Sequence, residues 1–156
     1  MEEIKKGDYM DSILTSIKKL LGITEEYTAF DSDIIMYINS AFVTLRQLGA
    51  GPEDGFAIED AETKWTDYSS NKVLIGIIKP YIYRKVKIAF DPPVNSTAVD
   101  AIKQAIAEDE WRINLEVDEK DTNDELFINL EVFDRIIELL KSDDYRSEVD
   151  KEGGNE

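Results

Sequence analysis

The sequence predicts an all-α fold, a small bundle of four to five helices with a kinked third helix and an acidic C-terminal tail. Three observations carry this reading. Apolar residues recur at helical spacing through most of the 156-residue chain. Helix stop signals (Gly22, Gly49 and Asp91-Pro92-Pro93) fall where the apolar stripes end. The length fits one compact domain, or a small domain plus a tail.

The first helix spans about Met10 to Leu21, where Ile13, Leu14, Ile17, Leu20 and Leu21 form one stripe. Asp11 or Ser12 caps its start and Gly22 suits its end. The second spans about Asp31 to Leu48. Ile34, Ile38, Phe42 and Leu45 line it, Ala41 and Leu48 widen the stripe, Asp31 or Ser32 is the cap, and Gly49 is the stop. A turn-rich loop, Gly49-Ala50-Gly51-Pro52-Glu53-Asp54-Gly55, leads to a short extended piece at Phe56-Ala57-Ile58. The third helix starts between Thr66 and Asn71 and runs to Phe90 on a broad face that includes Val73, Ile77, Ile78, Tyr81, Ile82 and Val86. Pro80 lies inside it and removes one backbone hydrogen bond. The ring presses on the carbonyl four residues back, at Gly76, so a kink is expected rather than two helices.

Pro92 disfavours helical geometry at Asp91 and stops the third helix. Asn95, Ser96 or Thr97 caps a fourth, which reaches Leu115 or Val117. The polar run 117–124 then reads as a linker. A fifth helix follows over about Asp124 to Lys141, with Leu126, Leu130, Phe133, Ile137 and Leu140 at helical spacing. The expected organisation is an N-terminal extension (1–9), a helical domain (10–117), a linker with an additional helix (118–141) and a disordered acidic tail (142–156).

Composition excludes much chemistry. The chain has neither Cys nor His, which removes disulfides, thiolate nucleophiles, the commonest metal ligand and the usual general base near neutral pH. No apolar run is long enough to span a membrane, and the first residues carry no secretion signal, so no membrane association or secretion is expected. The formal net charge is -16. A field of that sign repels phosphate, so sequence-independent grip on the outside of DNA is not expected. The charge fits a soluble self-repelling protein, an acidic face for a basic partner, or a wall past which nucleic acid slides without sticking. From Asp118 onward there are 14 acidic and 5 basic residues, which marks Asp118 as the candidate boundary.

Catalytic motifs are weak or absent. Glu108-Asp109-Glu110 is a run on one helix whose side chains fan apart, unlike the converging oxygens a hard metal needs, although Asp109 falls near the Ile102, Ile106 and Ile113 face. Asp121-Thr122-Asn123-Asp124-Glu125 lacks the glycine and closing glutamate of a calcium loop. No glycine-rich phosphate motif occurs. No catalytic residue, metal site or cofactor is therefore expected. One basic island, Tyr81-Ile82-Tyr83-Arg84-Lys85-Val86-Lys87, interrupts the acidity. Nucleic-acid binding is one reading of it. The stronger one is that Tyr81 and Val86 face the core while Arg84, Lys85 and Lys87 face out, either as a plainly solvated strip or as a cationic strip for a head-to-tail contact between subunits.

These residues, taken in order, resemble a known family. The pattern includes Ile13-Leu14 through Leu20-Leu21-Gly22, Tyr27, Phe30-Asp31, Ile38-Asn39-Ser40-Ala41-Phe42 and the turn Leu48-Gly49 with Gly51-Pro52. It continues through Trp65, Tyr81-Ile82-Tyr83, Phe90-Asp91-Pro92-Pro93 and Glu108-Asp109-Glu110-Trp111-Arg112. Over about Ser12 to Val117 it is similar to the head-tail connector (adaptor, head-completion) proteins of tailed bacteriophages. The resemblance implies a non-enzymatic helical bundle and virion structural protein. Many copies form a ring, matching a twelvefold portal, at the head-tail junction after assembly in the host cytoplasm. The partners implied are further copies of the chain, the portal protein and the next head-completion or tail protein, with DNA passing through without specific binding.

On that basis Tyr81, Tyr83, Arg84, Lys85, Lys87, Trp111 and Arg112 are candidates for subunit contacts. Glu108, Asp109 and Glu110 are candidates for an acidic channel lining, and Leu126, Leu130, Phe133 and Ile137 for docking on the portal. The region after Val117 is longer than the family pattern implies. Two other classes stand beside this one: an acidic DNA mimic or regulator of a basic enzyme, and a carboxylate-metal enzyme.

Overall fold

The computed structural model describes residues 12–141, apart from the side chains of 120–126 and 140. The expected N-terminal extension and acidic tail lie outside the described residues. Among the described residues five helices follow in order: α1 (Ile13–Leu20), α2 (Asp31–Gln47), α3 (Trp65–Tyr68), α4 (Lys72–Phe90) and α5 (Ser96–Lys141). Among the described residues there is no strand, only an isolated bridge between Ser12 and Lys64. The chain divides into two compact units, Met1–Val117 and Asp118–Glu156.

In the first unit, α2 packs mainly on α4, and α1 lies against both. Most of the expected stripe residues form the core: Ile13, Leu14 and Ile17 of α1 meet Ile34, Ile38, Phe42 and Leu45 of α2 and Ile78, Ile82 and Val86 of α4. Ile75 joins them unannounced by the stripe, while Leu20 and Val73 stand exposed at the edge of their helices. From α5, Ile113 is fully buried, with Ile106 and Val117 packed beside the core. Fully burying one such aliphatic side chain contributes about 1.5–3 kcal/mol. Ser12 caps α1 by accepting from Thr15 N–H. Gly22 ends the turn at φ +79°, while Ile23 N–H bonds back to Lys18 O at 2.9 Å.

Neither Asp31 nor Ser32 caps α2. Phe30 holds that position and no side chain caps there. Asp31 instead faces the Lys18 ammonium at 2.7 Å, and its charge also suits the positive end of the helix. Lys18 is buried and donates to Glu25 O at 2.9 Å, so this single cation ties α1 to the α1–α2 turn.

The loop after α2 is fastened rather than loose. Asn39 on α2 accepts from Ile58 N–H at 2.8 Å and donates to Ile58 O at 2.9 Å. Phe42, Phe56 and Tyr68 meet with ring centroids 4.9–5.2 Å apart. Gly51 adopts φ +91°, and a Cβ there would lie 2.5 Å from the Tyr68 hydroxyl, so both backbone and space require glycine. Trp65 opens α3 fully buried. Its indole N–H donates to Ser16 Oγ, which donates to Ile13 O, both at 2.9 Å. Asn71 caps α4, accepting from Val73 and Leu74 N–H, and the helix continues through Pro80 to Phe90.

One boundary differs from the sequence reading. Residues 117–124 are helical, so the expected linker and separate fifth helix are the continuation of α5. Polarity alone marked the linker. The stretch holds no Gly or Pro, so nothing in it interrupts the backbone hydrogen-bond ladder.

Candidate functional site

The basic island of α4 faces the carboxylate run of α5, and one ion pair and one hydrogen bond join them. Arg84 pairs with Asp109, which is buried apart from this contact. Tyr81 donates its hydroxyl to Glu110 at 3.1 Å. Lys87 pairs with Asp91, and Arg112 with Glu108 one turn earlier on α5. Burial, and secondarily the Glu110 charge, hold the Tyr81 hydroxyl well above its ordinary pKa of 10.0.

This placement revises two groups of candidates. Tyr81 is fully buried in the core and is withdrawn from the surface available to another subunit. Its neighbour Tyr83 is half-buried and packs against the same core. Asp109 likewise faces inward to Arg84 and presents no free carboxylate to a channel, since it shares the Ile106–Ile113 face of α5. Glu108 and Arg112 are exposed, and Trp111 beside them is 61% exposed. Among the described residues no group of three carboxylates converges on a metal-sized position.

Among the described residues Lys85 of the island has no carboxylate partner, and it borders a groove. Between α2, α4 and α5 lies an opening of about 500 Å³. Ala41, Ile88, Ala89 and Ile106 give it an apolar floor, Tyr37 and Ser40 stand on its α2 wall, and Lys85 and Lys103 are its charged members. Lys85 lies 5.9 Å from the Tyr81 ring centroid. Neither lysine has a carboxylate partner among the described residues. Periodicity could not find this groove, because three helices build it from separate parts of the chain.

A second exposed feature is aromatic. Tyr27, Phe30 and Phe90 stack edge-on in a row, with centroids 5.5 and 5.3 Å apart, joining the α1–α2 turn to the end of α4.

The second unit presents its apolar residues openly. Leu130 and Phe133 are exposed and Ile137 is half-buried, while Leu126 is among the residues whose side chains lie outside the description. Ile128, Val132 and Ile136 are exposed as well, and the sequence reading did not single them out as a site. Their i, i+4, i+8 spacing was the available signal. No helix among the described residues is long and apolar enough to cross a membrane.

Residues 13–120 match a family model described as phage connector protein. No curated protein and no solved structure matches the chain.

Proposed function

Starting from the chain's membership of the phage connector protein family, we propose that it is a non-catalytic adaptor that assembles as a ring on the portal of a tailed phage. The observation that carries this reading is the family match over most of the first unit and the start of the second. The ring joins the DNA-filled head to the next head-completion or tail protein, around a twelvefold portal at the head-tail junction.

The physical features fit the role. A net charge of -16 lets DNA pass a protein wall without being held by its phosphates. Glu108 and Glu110 are the carboxylates of the α5 run that remain for such a wall once Asp109 is committed to Arg84. All of the subunit-contact candidates except Tyr81 keep some exposure: Tyr83, Arg84, Lys85 and Lys87 on α4, and Trp111 and Arg112 on α5. Leu130, Phe133 and Ile137 of the second unit supply apolar anchors for the portal, where contiguous exposed apolar surface marks an interaction site.

The test is to mix the full chain with the portal protein of the same phage and image the product by negative stain. Rings seated on portal particles are expected. A chain that stays monomeric and shows no affinity for portal overturns the reading, and selective capture of a basic nuclease or polymerase instead favours the DNA-mimic class.

A further inference from the structure

We propose that the groove between α2, α4 and α5 of one copy receives the Ile128–Val132–Ile136 stripe of a second copy, in a head-to-tail contact. The proposal rests on the self-assembly reading above and identifies the two surfaces that meet.

The groove has the character of a helix acceptor. Ala41 and Ala89 keep its floor low, and Ile88 and Ile106 supply apolar area. Small side chains let another helix approach to the usual interaxial distance of about 8–10 Å. Lys85 and Lys103 add positive charge and no carboxylate lines the opening, on a chain where acidic residues outnumber basic ones by 34 to 18. The occupant that fits is an apolar helix face with acidic flanks.

The chain carries such a face. Successive helical residues turn by about 100°. On that count Ile128, Val132 and Ile136 form one stripe, and Leu130, Phe133 and Ile137 form another, displaced from it around the axis. Together they span roughly 200° of the circumference. One packed surface needs an apolar stripe of only about 100° or somewhat more. A face this wide is suited to two partners. The Leu130 stripe is assigned above to the portal, which leaves the Ile128 stripe for a neighbour.

Charge agrees with this pairing. Segment 118–141 holds eight carboxylates against three cations. By the same count Arg135 borders the Ile128 stripe, and just beyond it on the polar side stand Glu131 and Glu138. They are the partners offered to Lys85 and Lys103. The donor stripe and the acceptor groove are different surfaces, so the contact is heterologous. Each copy gives once and receives once, which is the arrangement that closes into a ring when the rotation permits.

The absence of cysteine makes a direct test available. A size-tagged Ala89→Cys chain is mixed with an untagged Ile136→Cys chain, oxidised, and run on a non-reducing gel. A tagged–untagged dimer several-fold above the control pair is expected, the control carrying Val43→Cys on the exposed side of α2 in place of Ala89→Cys. Lys85→Glu with Lys103→Glu lowers that band several-fold, and Glu131→Lys with Glu138→Lys in the other chain restores it.

A band no stronger than the control overturns the contact. So does ring closure within one chain in the Ala89→Cys/Ile136→Cys double variant under dilution that prevents dimers. Rings on portal without the crosslink remove this contact and leave the adaptor function standing. A crosslink without any affinity for portal supports the contact and removes the adaptor function.

Discussion

Residues 12–117 and residues 118–141 use the same apolar vocabulary to opposite ends. In the first unit Ile34, Ile38, Phe42 and Leu45 recur along α2 and every one is buried. In the second, Ile128, Leu130, Val132, Phe133 and Ile136 recur along α5 and every one is exposed. Helical periodicity therefore says which residues share a face and nothing about what covers it. In the first unit the chain covers its own faces. In the second, an exposed apolar band beside carboxylates has the composition of a surface made for another molecule.

Substitutions separate the two regions, and the largest effects belong to the first. Ile38→Ala should cost about 2–5 kcal/mol in urea unfolding, the range for emptying a filled aliphatic site. A cost under about 1 kcal/mol would mean that the core is looser than its burial implies. Gly51→Ala should cost about 1–3 kcal/mol, because alanine meets an unfavourable positive φ and a hydroxyl at 2.5 Å together. Pairing it with Tyr68→Phe removes only the oxygen and leaves ring carbons at 2.6 and 2.7 Å, so the pair should recover little of the loss.

The third effect depends on pH. Tyr68 and Tyr81 are buried with hydroxyls held above the ordinary value of 10.0. The unfolded chain ionises there before the folded chain does. Their contribution is thus complete below pH 10 and is lost as pH rises toward the folded-state values. The urea midpoint should fall above pH 10 in the parent and fall less steeply in the Tyr68→Phe/Tyr81→Phe variant. The smallest effect is expected in the second unit. Phe133→Ser and Ile136→Ser should change the stability of the dilute chain by less than about 0.5 kcal/mol while weakening assembly. A larger loss of stability would show that the chain itself covers these residues.

Much of the fold was legible because its signals are local. Ser12, Gly22, Gly49 and the Asp91-Pro92-Pro93 stop act within a turn or two of where they stand, and the stripes of α1, α2 and α4 follow from spacing alone. The site was less legible because its contacts are distant in sequence. Arg84 meets Asp109 across 25 positions, and Asn39 meets Ile58 across 19. The placement of Asp109 on the inward face was readable, but its partner was not. Tyr81 belongs by spacing to the apolar stripe and by composition to the basic run; the stripe prevails, with the ring in the core and only the hydroxyl reaching a carboxylate. The α5 continuation is hidden from a reading by charge, because residues 117–124 change in polarity and contain no helix breaker.

The two tryptophans give this molecule a built-in optical gauge. Trp65 is sealed in the interior with its N–H bound to Ser16, whereas Trp111 stands mostly in solvent on α5. A red shift from the first indole signals loss of the fold, and a blue shift from the second signals that another surface has closed over it. Single-tryptophan chains made by Trp65→Phe and Trp111→Phe would therefore report folding and docking on separate channels without any attached dye.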